Sequence, residues 1–254
     1  MNVLLIAKQS FKEIYQSKVL MNILFLGVLL LLLTFVVSEF SYGVAEKVTL
    51  DIGLGLISLS GVAISLFLGS RLIVNEVENR TLYMVLVRPV ARYEFLLGKV
   101  IGLAAIVFLN LIALFSLLLV LYFALGGSWD NMIGWTLFFV YMESLLVLVM
   151  SLFFSLFSNP IISIMVTLTM FIAGHGVETV KETHLYQKDD LLRGFVDFYT
   201  QWLPNFDKLN LKNYVLYNKF LPNDWFLVAS GYSFTWVFVF IVFAIVLFNK
   251  KELT

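Results

Sequence analysis

Six long apolar runs constrain this chain more than anything else in it. They span about 19–37, 52–74, 97–123, 132–157, 160–177 and 226–248. A helical run of roughly 18 apolar residues crosses the ~30 Å hydrocarbon layer of a bilayer. All six qualify, the fifth by the narrowest margin. Each run is continuous, whereas the strands of a membrane barrel alternate at period two, so a barrel is excluded. Composition agrees: 61% of the 254 residues are apolar and 13% are charged, while soluble domains carry about a quarter charged residues. The expected fold is an all-α integral membrane protein, a single domain over 1–254 with six transmembrane helices.

The first run begins only at residue 19, and no small-residue cleavage site follows Val37-Ser38-Glu39-Phe40. It therefore reads as a span and not as a removable signal. The chain contains no cysteine, which removes disulfides, thiolate metal sites and cysteine nucleophiles. Formal net charge is zero and no basic stripe stands out, so no nucleic-acid partner is expected.

Orientation follows from the Lys and Arg positions. Lys8, Lys12, Lys18, Arg71, Arg80, Arg88, Arg92, Lys99, Lys250 and Lys251 all fall on one side of the six-span layout. The short loops of the other side, 38–51 and 124–131, hold only Lys47. Both termini are expected in the cytoplasm, with the segment 178–225 outside, in a multi-pass protein of a bacterial inner membrane. Within the arm 1–18, Leu4, Ala7, Phe11, Ile14 and Tyr15 share one helical face and Lys8, Lys12, Glu13 and Gln16 the other. That pattern predicts an amphipathic helix lying in the membrane interface, as an anchor or as a lever on a partner.

The segment 75–96, between the second and third runs, is the densest charged stretch. It reads Glu76-Val77-Glu78-Asn79-Arg80-Thr81-Leu82, continues to Val85-Leu86-Val87-Arg88-Pro89-Val90-Ala91-Arg92, and leads to Leu97-Gly98-Lys99. Pro89 limits a helix here to one or two turns. Leu82, Val85 and Leu86 among Arg80, Arg88 and Arg92 suit a groove on another protein, where arginines pair with carboxylates. The plainer reading is a positive loop whose arginines meet lipid phosphates.

The run Glu-x-Glu-x-Arg-Thr-Leu-x-x-x-Leu-x-Arg-Pro-Val-x-Arg-x-x-x-Leu-x-Gly-Lys, from Glu76 to Lys99, resembles the signature of type-2 ABC exporter permeases. The layout of six spans with an amphipathic arm and cytoplasmic ends is similar too. Trp202-Leu203-Pro204-Asn205-Phe206-Asp207 looks like an outer-loop segment of some members. Asn79-Arg80 stands where many members have Gly before the Thr. The resemblance implies a coupling helix between spans two and three that sits on a soluble ABC ATPase. Glu76, Glu78, Arg80, Thr81, Leu82, Arg88, Pro89 and Arg92 would form or brace that interface. It also implies that ATP and Mg²⁺ bind the partner ATPase and that this chain carries no cofactor and is not itself an enzyme. In keeping with this, Gly98-Lys99 lacks the upstream glycine and following hydroxyl of a phosphate-binding loop. Because one coupling segment engages one ATPase, two permease copies are expected, identical or not.

Other residues leave alternatives open. Glu143 falls near the middle of the fourth run, where a charge costs on the order of 2.5–3.5 kcal/mol. It either lines a pathway or is a neutral carboxylic acid bonded to Asn110, Ser144 or a serine of another span, fixing the packing. His175, Glu178 and His184 sit near the end of the fifth run. Their spacing is a weak metal signal, and no metal site is expected. Phe195, Phe198, Tyr199, Trp202, Trp225 and Tyr232 read as an aromatic belt at the outer interface. Gly61, Ser65 and Gly69 at spacing four suit close helix contact, within the chain or between copies. No internal repeat is evident, which disfavours an inverted-repeat carrier. The expected function is the permease subunit of an ATP-driven exporter. Two alternatives stand beside it: an ATP-driven scaffold acting on an accessory protein at the outer face through 178–225, and an ATP-independent carrier or channel.

Overall fold

The computed structural model describes residues 2–15, 18–40, 45–78, 91–212, 214 and 223–250. These residues form helices and turns, with no strand among them. The helices are α1 (Asn2–Tyr15), α2 (Lys18–Glu39), α3 (Ala45–Glu78), α4 (Arg92–Ala124), α5 (Asn131–Ser155), α6 (Pro160–Lys181), α7 (His184–Lys188), α8 (Asp190–Trp202) and α9 (Asn223–Lys250), with a 3-10 turn at Asp207–Leu209.

Five of these, α3, α4, α5, α6 and α9, are long and apolar enough to cross a membrane. In α2 the described apolar stretch is the shorter Gly27–Val37. Helix α3 extends to Glu78 and α4 starts at Arg92, so both overrun the hydropathy limits of 74 and 97. Hydropathy marks where hydrocarbon ends, but backbone hydrogen bonding continues into water. At 1.5 Å per residue, each of these helices is about 50 Å long against ~30 Å of hydrocarbon. Their charged ends therefore stand clear of the apolar layer.

Local signals explain several boundaries. The α4 chain turns at Gly126, whose φ of 92° favours a residue without Cβ. Asp130 then caps α5 by accepting from the Met132 N–H at 3.1 Å. Pro160 opens α6 behind Asn159. Asp189 caps α8, accepting from the N–H groups of Leu191 and Leu192 at 3.0 and 3.4 Å.

Helix α3 is the axis of the bundle, packing on α2, α4, α5 and α6. Of the apolar window of α5, 67% is buried, against 22% in both α6 and α9, so α5 is central and those two are peripheral. The Gly61–Ser65–Gly69 stripe belongs to the α3–α5 seam. A Cβ on Gly69 would lie 2.5 Å from the Leu148 carbonyl oxygen and 3.0 Å from the Ser151 Cβ. Within the chain, then, this stripe is an internal contact. Serines knit this seam and the next: the Ser151 hydroxyl of α5 donates to Leu66 O of α3 at 3.0 Å, and that of Ser163 on α6 donates to Ser151 O at 2.6 Å.

The bundle has two distinct ends. The base carries α1, the first turns of α4 and the last turn of α9. Here Ile6, Ala7, Ser10 and Ile14 face the protein, while Leu4, Leu5 and Tyr15 are exposed. The face expected to lie in lipid is thus divided, because α4 takes part of it. The cap carries α7, α8, the 3-10 turn and the start of α9.

Candidate functional site

Two places concentrate polar side chains that the bundle has to accommodate. The first is the base around the segment between α3 and α4. Glu76 and Glu78 occupy the last turn of α3. Arg80, Thr81, Leu82, Arg88 and Pro89, with the short helix expected there, lie outside the described residues. Arg92 is the first residue of α4, and its guanidinium turns toward the last helix of the chain. Nη1 donates to Phe248 O at 3.4 Å and to Asn249 O at 3.2 Å. Those carbonyls end α9, where the helix lacks internal donors and its dipole favours a cation. Below this bond the rings of Phe95 and Phe248 stack at 6.3 Å, both buried. The chain leaving the 79–91 segment is therefore tied at once to α9 and, through Gly98 and Gly102, to α1.

The second place is the seam where α3, α5 and α6 meet toward the cap. Glu143 of α5 is only 2% exposed. Its Oε2 accepts from the Ser58 hydroxyl of α3 at 3.3 Å, and its Oε1 lies 3.2 Å from His175 Nε2 of α6. Oε1 accepts no hydrogen bond among the described residues, the His175 contact being one of distance alone. So Glu143 bonds to a serine of a neighbouring span, not to Asn110 or Ser144. Asn110 donates instead to Ser60 Oγ at 3.2 Å, and Ser144 donates to Val140 O in its own helix.

Aromatic rings close over the imidazole. Phe171 stands 4.6 Å from it, centroid to centroid, and Phe206 stacks at 5.9 Å with an interplanar angle of 12°. Phe206 is fully buried, as is Asn205 beside it. Asn205 fixes the chain that carries Phe206: its Nδ2 donates to Glu178 Oε1 at 3.0 Å, its N–H to the Tyr232 hydroxyl at 2.7 Å, and its Oδ1 accepts from the Asp207 N–H at 3.0 Å. The Tyr199 hydroxyl donates to Met170 O at 2.6 Å, joining α8 to α6. Burial pushes that phenol well above its ordinary range, keeping it a donor. Asp207 is also raised, first by burial and against the opposing effect of His175.

The sequence points to Glu143 and to His175 but does not join them. His175 reads there as a neighbour of Glu178 and His184, whereas Glu178 bonds to Asn205 and Lys181, and His184 is exposed at the start of α7. No group of three or more metal-ligating side chains gathers among the described residues. Register along the α5–α6 hairpin holds the missing signal. Glu143 lies about 13 residues before, and His175 about 16 residues after, the connection 156–159, so antiparallel helices bring them to similar depth. The aromatic belt is divided as well: Phe195, Phe198 and Trp202 are exposed, while Tyr199 is buried and Trp225 packs on Phe139.

Residues 4–253 match the family model described as ABC-2 family transporter protein. A search of curated proteins gives no match.

Proposed function

We propose that this chain, which belongs to the ABC-2 transporter family, is the permease subunit of an ATP-driven exporter. The observation that carries the reading is the family match over nearly the whole chain, since ABC-2 permeases work with an ABC ATPase subunit. The charge layout supports the rest. Six spans with both termini in the cytoplasm put the 79–91 segment on the side where a soluble ATPase and its ATP and Mg²⁺ are found. Glu76, Glu78, Arg80, Thr81, Leu82, Arg88 and Pro89 make the contact, and Arg92 braces it from the base of α4. A second permease copy brings a second coupling segment, and closure of the two ATPases drives both segments together. Movement at the segment then passes into α4, and from α4 to α1 and α9 through the contacts at the base. The cargo path opens toward the outer face, where 178–225 lies in the lipid interface and is available to an accessory protein.

The test is affinity purification of the full chain from membranes in mild detergent, with mass spectrometry of what accompanies it. A soluble ATPase held by the native chain and lost from Arg88→Glu supports the reading. Arg92→Gln, which disturbs the brace and not the docking face, is expected to retain the ATPase. No ATPase with the native chain under several mild conditions would overturn the proposal.

A further inference from the structure

We propose that Glu143 and His175 form a proton-binding site in the α5–α6 seam, holding one proton between them and thereby setting how tightly the two helices close toward the cap. This inference rests on the geometry of the seam alone and does not depend on the exporter reading.

The hydrogen bookkeeping starts from the far side of the imidazole. His175 Nδ1 lies 3.3 Å from the carbonyl oxygen of Phe171. A carbonyl only accepts, so Nδ1 carries a hydrogen and donates it. The other nitrogen, Nε2, faces Glu143 Oε1 at 3.2 Å. Oε1 is buried and accepts no hydrogen bond in this geometry, and a proton placed across the 3.2 Å contact would supply one in two ways: a carboxylic acid donating O–H to a neutral ring, or an imidazolium donating N–H to a carboxylate. Both contain one proton between the residues and no net charge. In both, Oε2 remains the acceptor for the Ser58 hydroxyl. With no proton, a carboxylate faces a lone pair and Oε1 is buried without a donor, which is costly. With two, the imidazolium is deprived of its counter-charge. The seam is therefore tightest with one proton and loosens on either side.

The surroundings isolate this equilibrium. From α3 the pair meets the Ser58 hydroxyl, which does not titrate near neutrality. From the 3-10 turn, Asp207 acts on His175 through space. On α6 itself Glu178 is one turn further on, held by Asn205 and Lys181. The phenol of Tyr199, from α8, bonds to Met170 O, and that of Tyr232, from α9, accepts from Asn205 N–H and lies under Lys208. The His175 side chain is 24% exposed while that of Glu143 is 2% exposed, so the ring is the more accessible member of the pair. Phe206, stacked on that ring, belongs to the same segment as Asn205. A change of proton number is thus felt directly by the cap.

The chain has two histidines, which makes the test direct. The full chain, labelled with ¹⁵N in histidine, is reconstituted in lipid vesicles and followed by solid-state NMR across pH, with His184→Gln giving the assignment. His175 is expected to show a protonated Nδ1 and an Nε2 resonance displaced from that of a free ring. Glu143→Gln is expected to shift the His175 resonances and leave those of His184 unchanged. Native protein labelled in glutamate as well is expected to show a dipolar contact between His175 Nε2 and the Glu143 carboxyl carbon, a measurement that needs no variant. Amide hydrogen exchange over 171–178, corrected for intrinsic rates, is expected to be slowest at an intermediate pH in the native chain and to lose that minimum in Glu143→Gln. His175 resonances that titrate in step with those of His184 and ignore Glu143→Gln would overturn the proposal, as would absence of the dipolar contact.

Discussion

At the base, α1 lies against α4 because Gly98 and Gly102 let two helix backbones touch; at the cap, α6 is joined to its neighbours by polar side chains and their hydrogen bonds. A Cβ on Gly102 would fall 2.7 Å from the Ala7 carbonyl oxygen, so shape decides that contact. The Arg92 bond to α9 adds a cation whose charge is fixed at any ordinary pH. By contrast the cap depends on Glu143, His175, Asn205, Glu178 and Tyr199, each held by a particular polar partner. A base made this way rests mainly on shape. A cap made this way depends on the direction and pairing of its hydrogen bonds.

The largest expected effect is the one that attacks shape. Gly102→Leu should push α1 away from α4, since overpacking a close contact costs about 1–3 kcal/mol and the whole arm is seated there. Limited proteolysis is expected to cleave within 2–15 much faster than in the native chain, with the melting temperature lowered. An arm that stays resistant to protease would break the claim that backbone approach holds the base.

Asn205→Ala probes the other end. It removes one side-chain hydrogen bond to Glu178 and one from the Asp207 N–H, a loss of about 1–3 kcal/mol in a buried place. Hydrogen exchange should rise over 199–211 and around His175, while the arm stays protected. Equal changes at both ends would mean that the bundle melts as one unit and that the two fastenings are not independent.

What the sequence reveals of this arrangement follows from which interactions leave a periodic trace. The apolar runs and the charge asymmetry are long-range averages, so the helices and their order are legible from them. The stripe Gly61–Ser65–Gly69 announces a close contact but not its partner, because a small residue says only that something approaches. The cap is harder to read. Asn205 and Phe206 sit in a stretch that looks like loop by composition, yet both are buried, and their importance comes from contacts with residues about 30 positions away. Glu143 is conspicuous as a lone acid in an apolar run; its imidazole partner emerges only once the α5–α6 hairpin is laid side by side. Arg92 was legible as a charge and not as a clasp, since its acceptors are backbone carbonyls at the far end of the chain.

A smaller effect separates the ends by pH. Burial raises the Asp207 carboxyl above its ordinary value of 3.8, against the opposing effect of His175. The folded state therefore binds this proton more strongly than the unfolded state. Its contribution is fully present below the ordinary value and is lost as pH rises through the higher folded value. Asp207→Asn keeps the shape without the charge, so it should melt higher than the native chain at neutral pH. The two should converge in acid. A constant difference at every pH would remove Asp207 from the pH-dependent part of the cap.

The smallest effect belongs to the Lys99–Glu13 ion pair at the α1–α4 contact. Lys99 Nζ lies 3.4 Å from Glu13 Oε2, and the Glu13 side chain is 63% exposed. An exposed pair contributes about 0–1 kcal/mol and is screened within roughly 10 Å at 0.1 M salt. Glu13→Gln should therefore change the melting temperature only slightly at low salt and not at all at high salt, and protease resistance of the arm should persist. Retention of the arm without its ion pair, set against its loss in Gly102→Leu, would assign the base to shape. A salt-dependent release of the arm in the native chain would instead make charge the stronger fastening, and the contrast with the cap would lie only in which charges titrate.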